Sequence, residues 1–265
     1  DLISERLTDW QIKGFIPSIP IPPKGAETDR LFRERGWSHW HHLFTPRQLL
    51  TNGTLISELI KTRKDYVAGM LGIGRVANWN SRISGWLSQK GNEKGDQVFN
   101  NQALNTVYNY CNRPLIKLRT AWEIFDDTSE SRCCRGTVTL HDARQISSGS
   151  DLWITDPPYA DAVNYHELGD FFLAWYEKLL PKAFPEWVPD SRKALAVRGA
   201  GEDFKHSMVE IYANLTKNMP DNGMQLVMFT HQDPSVWADL GMILWAAGLK
   251  VSAAWTISTE TPAGG

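Results

Sequence analysis

Four consecutive residues, Asp156, Pro157, Pro158 and Tyr159, have the types and the order needed to hold an aromatic amine. The Asp156 carboxylate and the Pro157 carbonyl are neighbouring acceptors, and the two prolines stiffen the backbone that carries them. Two adjacent acceptors match the two hydrogens of an exocyclic NH2 group, and the Tyr159 ring can stack on the heterocycle. The motif therefore predicts a site for the amino group of a nucleobase.

Such a site suits methylation of the amine. Acceptors that hold both N–H groups draw the nitrogen lone pair out of conjugation and aim it outward, where it can attack an electrophilic methyl group in line. Catalysis would then come mainly from orientation and electrostatics. A base in a duplex must first be flipped out of the stack to reach the site.

The motif begins at the last residue of a hydrophobic segment, 151–156. This segment is typical of a strand buried on both faces. The pattern predicts further strands at 136–143, 224–229 and 251–257, and helices at 164–180, 202–218 and 233–248. Strands that alternate with helices indicate an α/β fold with a parallel, two-sided sheet. Ligands of such sheets bind beyond the carboxyl ends of the strands, which is where Asp156 lies.

The first part of the chain has a different character. Thr45 and Pro46 are typical of a helix start, and the apolar spacing continues that helix to Met70. A second helical region is predicted at 98–123, with a break at Pro114. We therefore expect two portions, a mostly helical one at residues 1–130 and an α/β catalytic one at residues 131–265.

Composition excludes several classes of protein. Hydrophobic residues are 42% and charged residues 22% of the 265, which indicates a globular chain rather than a disordered one. The three cysteines lack the spacing of a disulfide framework or a zinc ribbon. The longest apolar run, 240–249, is too short to cross a bilayer, and no signal peptide opens the chain. We therefore expect a cytoplasmic protein without a metal and without membrane association.

Charge is divided unevenly along the chain. The first 150 residues contain 20 Lys and Arg against 15 Asp and Glu, whereas the rest contain 8 against 15. A basic half permits a polyanionic partner. Candidates for contacts with DNA phosphates are Arg30, Arg33, Arg35 and Arg47. A solvated helix face explains these arginines equally well.

The motif resembles the catalytic motif of the amino-methyltransferases, which methylate adenine N6 or cytosine N4 of DNA. Longer blocks resemble the large bacterial and archaeal adenine-specific DNA methylases, some of which are linked to phage defence. These blocks are Gly36–Leu50 (GWSHWHHLFTPRQLL), Asp156–Trp175 (DPPYADAVNYHELGDFFLAW), Phe229–His231 (FTH) and Trp255–Glu260 (WTISTE). The resemblance covers most of residues 14–260.

The resemblance implies a class I methyltransferase with a Rossmann-like sheet, S-adenosylmethionine as cofactor and double-stranded DNA with a flipped adenine as substrate. It implies restriction–modification or phage defence as the setting, with other defence-system subunits as partners. By resemblance, Asp156, Pro157, Pro158 and Tyr159 hold the target base. An Asp at the first position, rather than Ser or Asn, favours adenine.

The cofactor side of the site is expected to include Asp142 and Thr155. Asp142 is predicted to end a strand and, by resemblance, to accept a hydrogen bond from the adenine amine of the cofactor; the capping of a turn is the alternative. The family's glycine-rich cofactor loop is not visible. Gly72-Ile73-Gly74 lies in a helical context, and Gly199-Ala200-Gly201 follows only a short apolar run.

The chain starts at Asp1 rather than Met. We therefore expect it to be a piece of a longer polypeptide, with the glycine-rich loop upstream or in a segment missing between the given residues. Two other clusters stand out. The spacing of His39, His41 and His42 is poor for zinc, so we expect these rings to hydrogen-bond. The polar turn 78–82 could line the base or cofactor pocket.

Three alternatives remain open. The substrate could be cytosine N4 of DNA, or RNA. The chain could be a non-catalytic DNA-binding subunit of a defence complex, which the missing glycine-rich loop favours and the intact motif opposes. A nucleotide-binding enzyme without methyl transfer is the third alternative, but no phosphate loop of the G-x-x-x-x-G-K-[ST] kind is found.

Overall fold

The protein is described from a computed structural model. The structure describes residues 2–23, 25, 27–62, 66–89, 92–95, 97–99, 120–122, 136–139, 141–158, 165–187 and 201–257. The chain divides into two compact units that interleave in sequence: residues 1–136 with 164–193, and residues 137–163 with 194–265. The proposed division of the chain at residue 130 stays a prediction.

The first unit is mostly helical where it is described. Its helices are α1 (Leu2–Lys13), α2 (Asp29–Arg35), α3 (Pro46–Thr62), α4 (Tyr66–Trp79), α5 (Tyr165–Tyr176) and α6 (Leu180–Ala183). Strands β1 (Trp86–Gln89) and β2 (Asn92–Gly95) pair as an antiparallel hairpin. Short 3₁₀ turns lie at Trp40–Leu43 and Thr120–Trp122. Most of the predicted helical region 98–123 lies outside the described residues.

Helix α3 begins where the sequence predicts. The Gln48 backbone N–H donates to Thr45 Oγ1 at 3.3 Å, and the Thr45 backbone N–H donates to Gln48 Oε1 at 2.7 Å. This reciprocal pair is a capping box, which satisfies N–H groups that the first turn of a helix cannot pair internally. The predicted start at Thr45 and Pro46 is confirmed.

Aromatic side chains form the centre of the first unit. Trp40 and Phe171 are fully buried and meet edge to face, with ring centroids 5.8 Å apart. Phe44 meets Trp175 in the same way at 4.9 Å. Because Phe171 and Trp175 lie one turn apart on α5, this helix packs its apolar stripe against the turn that carries Trp40.

The second unit is built on two parallel strands. Strands β3 (Leu152–Thr155) and β4 (Met224–Val227) pair in parallel, with Leu152 opposite Met224 and Thr155 opposite Val227. The unit also contains a 3₁₀ turn at Ala143–Gln145 and helices α7 (Glu202–Lys217) and α8 (Pro234–Ala246). The predicted parallel pairing, and the helices on either side of β4, are confirmed. A doubly wound sheet stays a prediction.

The two faces of this sheet differ in burial. One face, which includes Trp153 and Val227, packs on an apolar cluster from α7 and α8. The other face exposes Leu152 by 48%, Ile154 by 60% and Met224 by 58%. The prediction that β3 is buried on both faces is therefore wrong for the residues that the structure describes.

Two predicted strands are absent from the described parts of their ranges. Residues 136–139 and 141–142 form no ladder, and residues 251–257 are exposed and unpaired. Both segments are rich in β-branched or aromatic residues, which favour strands locally. A strand, however, requires a partner whose backbone meets its N–H and C=O groups, and neither segment has one among the residues that the structure describes. The prediction that Asp142 ends a strand is wrong for the same reason.

The hydrocarbon core of a bilayer requires about 20 apolar residues of helix. Among the helices that the structure describes, none is both long enough and apolar enough to cross a membrane.

Candidate functional site

The register of the parallel pair brings two loops to one edge of the sheet. Thr155 and Val227 are the paired last residues of β3 and β4, and the Met228 backbone N–H donates to the Thr155 carbonyl at 2.9 Å. The chain therefore leaves the sheet at Asp156 and at Met228 side by side. This carboxyl edge is where ligands of parallel sheets bind.

Asp156 extends from this edge into solvent. Its side chain is exposed and forms no hydrogen bond or ion pair with any residue that the structure describes. Pro157 is buried behind it and Pro158 is half-buried, so the turn that carries the carboxylate is anchored by packing. Tyr159 lies outside the described residues, and its predicted role in stacking stays a prediction.

Thr155 is held by a tyrosine from α7. Its hydroxyl lies 3.1 Å from the hydroxyl of Tyr212, which is almost fully buried. Burial raises the pKa of Tyr212; the negative charge of Asp156 raises it further, while the hydrogen bond to Thr155 opposes the shift. Thr155 thus fixes the end of β3 to α7, and its predicted contact with a cofactor stays a prediction.

The loop after β4 supplies aromatic and imidazole groups to the same edge. The His231 Nδ1 atom accepts a hydrogen bond from the Asp233 backbone N–H at 2.9 Å, so Nε2 carries the proton of the neutral ring. The Trp237 Nε1–H donates to the His231 carbonyl at 2.9 Å, and the ring meets Phe229 edge to face at 5.0 Å. Trp237 is 48% exposed, so its ring is an accessible aromatic surface outside the four-residue motif.

Tyr212 and Trp237 were not predicted from the sequence. Both lie in helical segments with ordinary apolar spacing, where an aromatic residue is most simply interpreted as core. A signal for Trp237 was nevertheless present: it sits one turn into a helix whose N-cap, Asp233, follows directly on the edge loop. Its position along the chain placed it near the carboxyl end of β4.

Asp142 caps a turn and is held by a neighbouring arginine. Its Oδ1 atom accepts from the Arg144 backbone N–H and Nε–H, both at 3.0 Å, and its Oδ2 atom accepts from Arg144 Nη2–H at 3.0 Å. Hydrogen bonds from the Arg144 side chain are the largest cause of a lowered pKa at Asp142. The structure therefore shows the capping interaction. The predicted contact with a cofactor stays a prediction, and it requires this pair to open.

The turn that contains Asp142 is fixed to α7. Asn214 Nδ2–H donates to the carbonyls of Ala143 at 3.0 Å and Ile146 at 2.9 Å. Asn218 Nδ2–H donates to the same Ile146 carbonyl at 3.1 Å. Helix α7 thus holds the Asp142 turn by these amides and the end of β3 by Tyr212.

The two glycine pairs considered for the cofactor loop lie in different settings. Gly72 and Gly74 are buried within α4, as their helical context predicts. Gly201 is the N-cap of α7 with φ 127°, a conformation that favours glycine. Gly199 lies outside the described residues. Within the described ranges, no strand is followed by a glycine-rich turn.

The four arginines predicted to contact DNA differ in their partners. Arg30 pairs with Glu34 at 3.0 Å, and Arg33 pairs with Asp29, each one helical turn away on α2. The Arg35 guanidinium lies over the Trp37 ring at 5.3 Å. Arg47 is exposed in the first turn of α3. The predicted contacts of all four with DNA stay predictions.

The three histidines form a compact cluster, with ring centroids between 4.4 and 5.5 Å apart. Burial, followed by the charges of His42 and His39, lowers the pKa of His41 to about 4. In the part of the chain that the structure describes, no group of three or more His, Cys, Asp and Glu side chains is arranged to hold a metal ion.

A shallow concavity of about 460 Å³ opens at the opposite, amino edge of the parallel sheet. Asp151, Lys217 and Met219 line it. Because ligands of parallel sheets bind at the carboxyl edge, this concavity is not the predicted base site.

The Asp156 carboxylate and the Pro157 carbonyl thus form an open acceptor corner on a fixed strand end, beside a loop that carries His231 and the first turn of α8, which carries Trp237. No protein-family model, curated protein or solved structure matches the chain. Its function is therefore argued from this geometry.

Proposed function

We propose that the protein is a DNA methyltransferase that transfers a methyl group from S-adenosylmethionine to the N6 amine of adenine. It would act in the cytoplasm on double-stranded DNA with a flipped adenine, in restriction–modification or phage defence, with other defence-system subunits as partners. The observation that carries the proposal is the Asp156 carboxylate, exposed and without a described partner, directly before a buried proline at the carboxyl edge of a parallel sheet.

The residues of the chain would bind and orient the amine. Asp156 and the Pro157 carbonyl accept its two N–H groups, and Tyr159 or Trp237 stacks on the base. A carboxylate beside the nitrogen also stabilises the positive charge that develops there as the N–C bond forms. Thr155 and Tyr212 keep the strand end fixed while this happens.

The fit to the methyl donor is weaker than the fit to the base. Both oxygens of Asp142 are engaged by Arg144, and the described residues contain no glycine-rich turn after a strand. They do not by themselves form a site for S-adenosylmethionine, so we assign no step to residues on that side. This observation favours a second candidate function, a DNA-binding subunit without catalytic activity.

Identification of the modified base tests the proposal. Purified protein is incubated with unmethylated DNA and methyl-labelled S-adenosylmethionine, and the digested nucleosides are separated and identified by mass. We expect labelled N6-methyladenine. Labelled N4-methylcytosine would overturn the adenine assignment, and DNA binding without any labelled base would establish the non-catalytic alternative.

A further inference from the structure

Two positively charged side chains converge on one tryptophan in the helical unit. Trp37 follows α2 and is only 7% exposed. The Cζ atoms of Arg35, at the end of α2, and Arg82, in the turn after α4, lie 5.3 and 4.7 Å from the centroid of its ring. Both distances suit a cation–π contact, so the ring fixes two guanidinium groups that come from distant parts of the sequence.

Arg82 has spare donors and a charge that the described residues do not neutralise. Its side chain donates one hydrogen bond, from Nη1–H to the His42 carbonyl at 3.3 Å, out of five N–H groups. No carboxylate among the described residues pairs with it. Burial, followed by the positive charge of Arg35, lowers the pKa of Arg82. The two like charges therefore lie close together, and Arg82 is partly shielded from water.

The groups beside Arg82 are donors as well. His42 Nδ1 accepts a hydrogen bond from the Ser38 backbone N–H at 3.2 Å, so the Nε2 atom of the neutral ring carries a proton. Burial, followed by the charges of His39 and Arg82, lowers the pKa of His42. The rings of His39 and His41 lie next to it at 5.5 and 4.4 Å. The groups shown to act on Arg82 and His42, namely Arg35 and the neighbouring histidines, are thus cationic or neutral.

We propose that Arg82, seated on Trp37 beside Arg35, binds a phosphate group of the nucleic-acid backbone. A guanidinium fork matches two phosphate oxygens, and an anion placed there would relieve the repulsion between the two arginines. The cluster lies in the basic half of the chain, which suits a polyanion better than a single small ion. The choice of DNA as the polymer rests on the proposed function, whereas the tests below measure binding and need no methyl transfer.

If Arg82 had only a structural role, its removal would have a different effect. In that role Arg82 only joins the turn after α4 to the His42 carbonyl and covers Trp37. Its removal would then lower stability without changing the dependence of DNA affinity on salt. A phosphate contact, in contrast, changes that dependence, because each neutralised phosphate releases counterions.

The first test measures the binding of a fluorescent DNA duplex at several KCl concentrations. We expect Arg82→Gln to weaken binding and to reduce the slope of log affinity against log salt by about 0.9, the value for one phosphate. Arg75→Gln is the matched control, since the exposed Arg75 lies over Trp79 at 5.0 Å without a second guanidinium. Its slope should equal that of the unmodified chain. Equal slopes for all three proteins would overturn the proposal.

The second test is read from the unmodified chain, and a variant serves only to assign one signal. The His42 ring is followed by NMR, its signal assigned by its loss in His42→Gln, during titration with pH. We expect the His42 pKa to rise when the duplex is present, because a phosphate offsets the charge of Arg82. Inorganic phosphate alone should produce a smaller rise. A His42 pKa that the duplex leaves unchanged would contradict the proposal, and a rise with free phosphate only would exclude the polymer as the ligand.

Discussion

Glu167 is buried at the start of α5 and organises a loop far away in sequence. Its Oε2 atom accepts hydrogen bonds from the backbone N–H of Glu27 at 3.1 Å and of Thr28 at 3.0 Å, and from Thr28 Oγ1–H at 2.9 Å. By its position alone, Glu167 is an acidic residue in a first helical turn, where it would stabilise the helix dipole. The partners are 139 and 140 residues away, so no local pattern could have indicated them.

Removal of this carboxylate should destabilise the fold strongly. We expect Glu167→Ala to lower the free energy of unfolding by about 2–4 kcal/mol, because it removes the acceptor of the buried Thr28 N–H and hydroxyl groups. Urea unfolding measures the change. Glu58→Ala is the control, since its exposed ion pair with Lys61 contributes below about 1 kcal/mol. Equal losses in the two variants would show that the Glu167 contacts do not matter.

His41 should make stability depend on pH. Burial and the neighbouring histidines lower its pKa from 6.5 to about 4 in the folded chain. As the pH falls from 6.5 towards 4 the unfolded chain takes up the proton first, so stability falls through this range and is flat above it. Because the ring is partly solvated, we expect a loss of about 1–2 kcal/mol.

The measurement is unfolding by urea at several pH values. His41→Gln should flatten the dependence between pH 6.5 and 4, whereas His206→Gln, at an exposed ring of the second unit, should keep it. A His41→Gln variant with the slope of the unmodified chain would contradict the assignment.

At the scale of elements, small residues decide how closely α4 packs. A Cβ atom at position 74 would overlap the Tyr176 hydroxyl of α5, and one at position 72 would overlap the Trp122 ring. Glycine at these positions therefore permits close contact between elements. This gives Gly72 and Gly74 a structural role in place of the cofactor role that their spacing weakly suggested.

Gly74→Ala should therefore destabilise the first unit by about 1–3 kcal/mol through overpacking. The double variant with Tyr176→Phe should recover part of the loss, because the hydroxyl is the atom in the way. Gly169→Ala is the matched control: it is also helical, and its Cβ would meet nothing. It should be neutral or stabilising by about 0.5–1 kcal/mol. Thermal unfolding separates the cases, and a neutral Gly74→Ala would refute the packing role.

The elements also show which part of the fold local sequence could predict. β3, β4, α7 and α8 were predictable because apolar periodicity and caps such as Asp233 are local features. The segment 251–257 has the same composition as a strand but pairs with no strand among the described residues. Strand formation depends on a distant chain segment, and the sequence pattern does not contain that information.

At the scale of the whole molecule, the position of the Asp156 motif at the carboxyl edge of a parallel strand pair was predictable, but the residues around it were predictable only in part. Parallel sheets bind ligands at their carboxyl edges, so the carboxylate and prolines after β3 could be recognised as a candidate site from the sequence. Tyr212 and Trp237 reach that edge only because α7 and α8 fold back on the sheet. The Asp142–Arg144 pair could not be foreseen, since either residue could equally have faced a ligand.

The chain thus carries two separate features that suit nucleic acid. One unit presents the Asp156 corner, which suits an amino group, and the other presents Arg35 and Arg82 on Trp37, which suit a phosphate. The proposals drawn from these two features are chemically distinct, since one concerns methyl transfer and the other concerns phosphate binding. Each can therefore fail without the other.

The most direct test of the central claim compares methyl incorporation into DNA by Asp156→Ala and Asp151→Ala. Both aspartates are exposed, and they flank opposite ends of β3. We expect Asp156→Ala to lose about 100-fold or more of the activity with unchanged thermal stability, because the amine is no longer oriented. Asp151→Ala should keep the activity. Full activity in Asp156→Ala would contradict the role of this carboxylate and the function proposed from it.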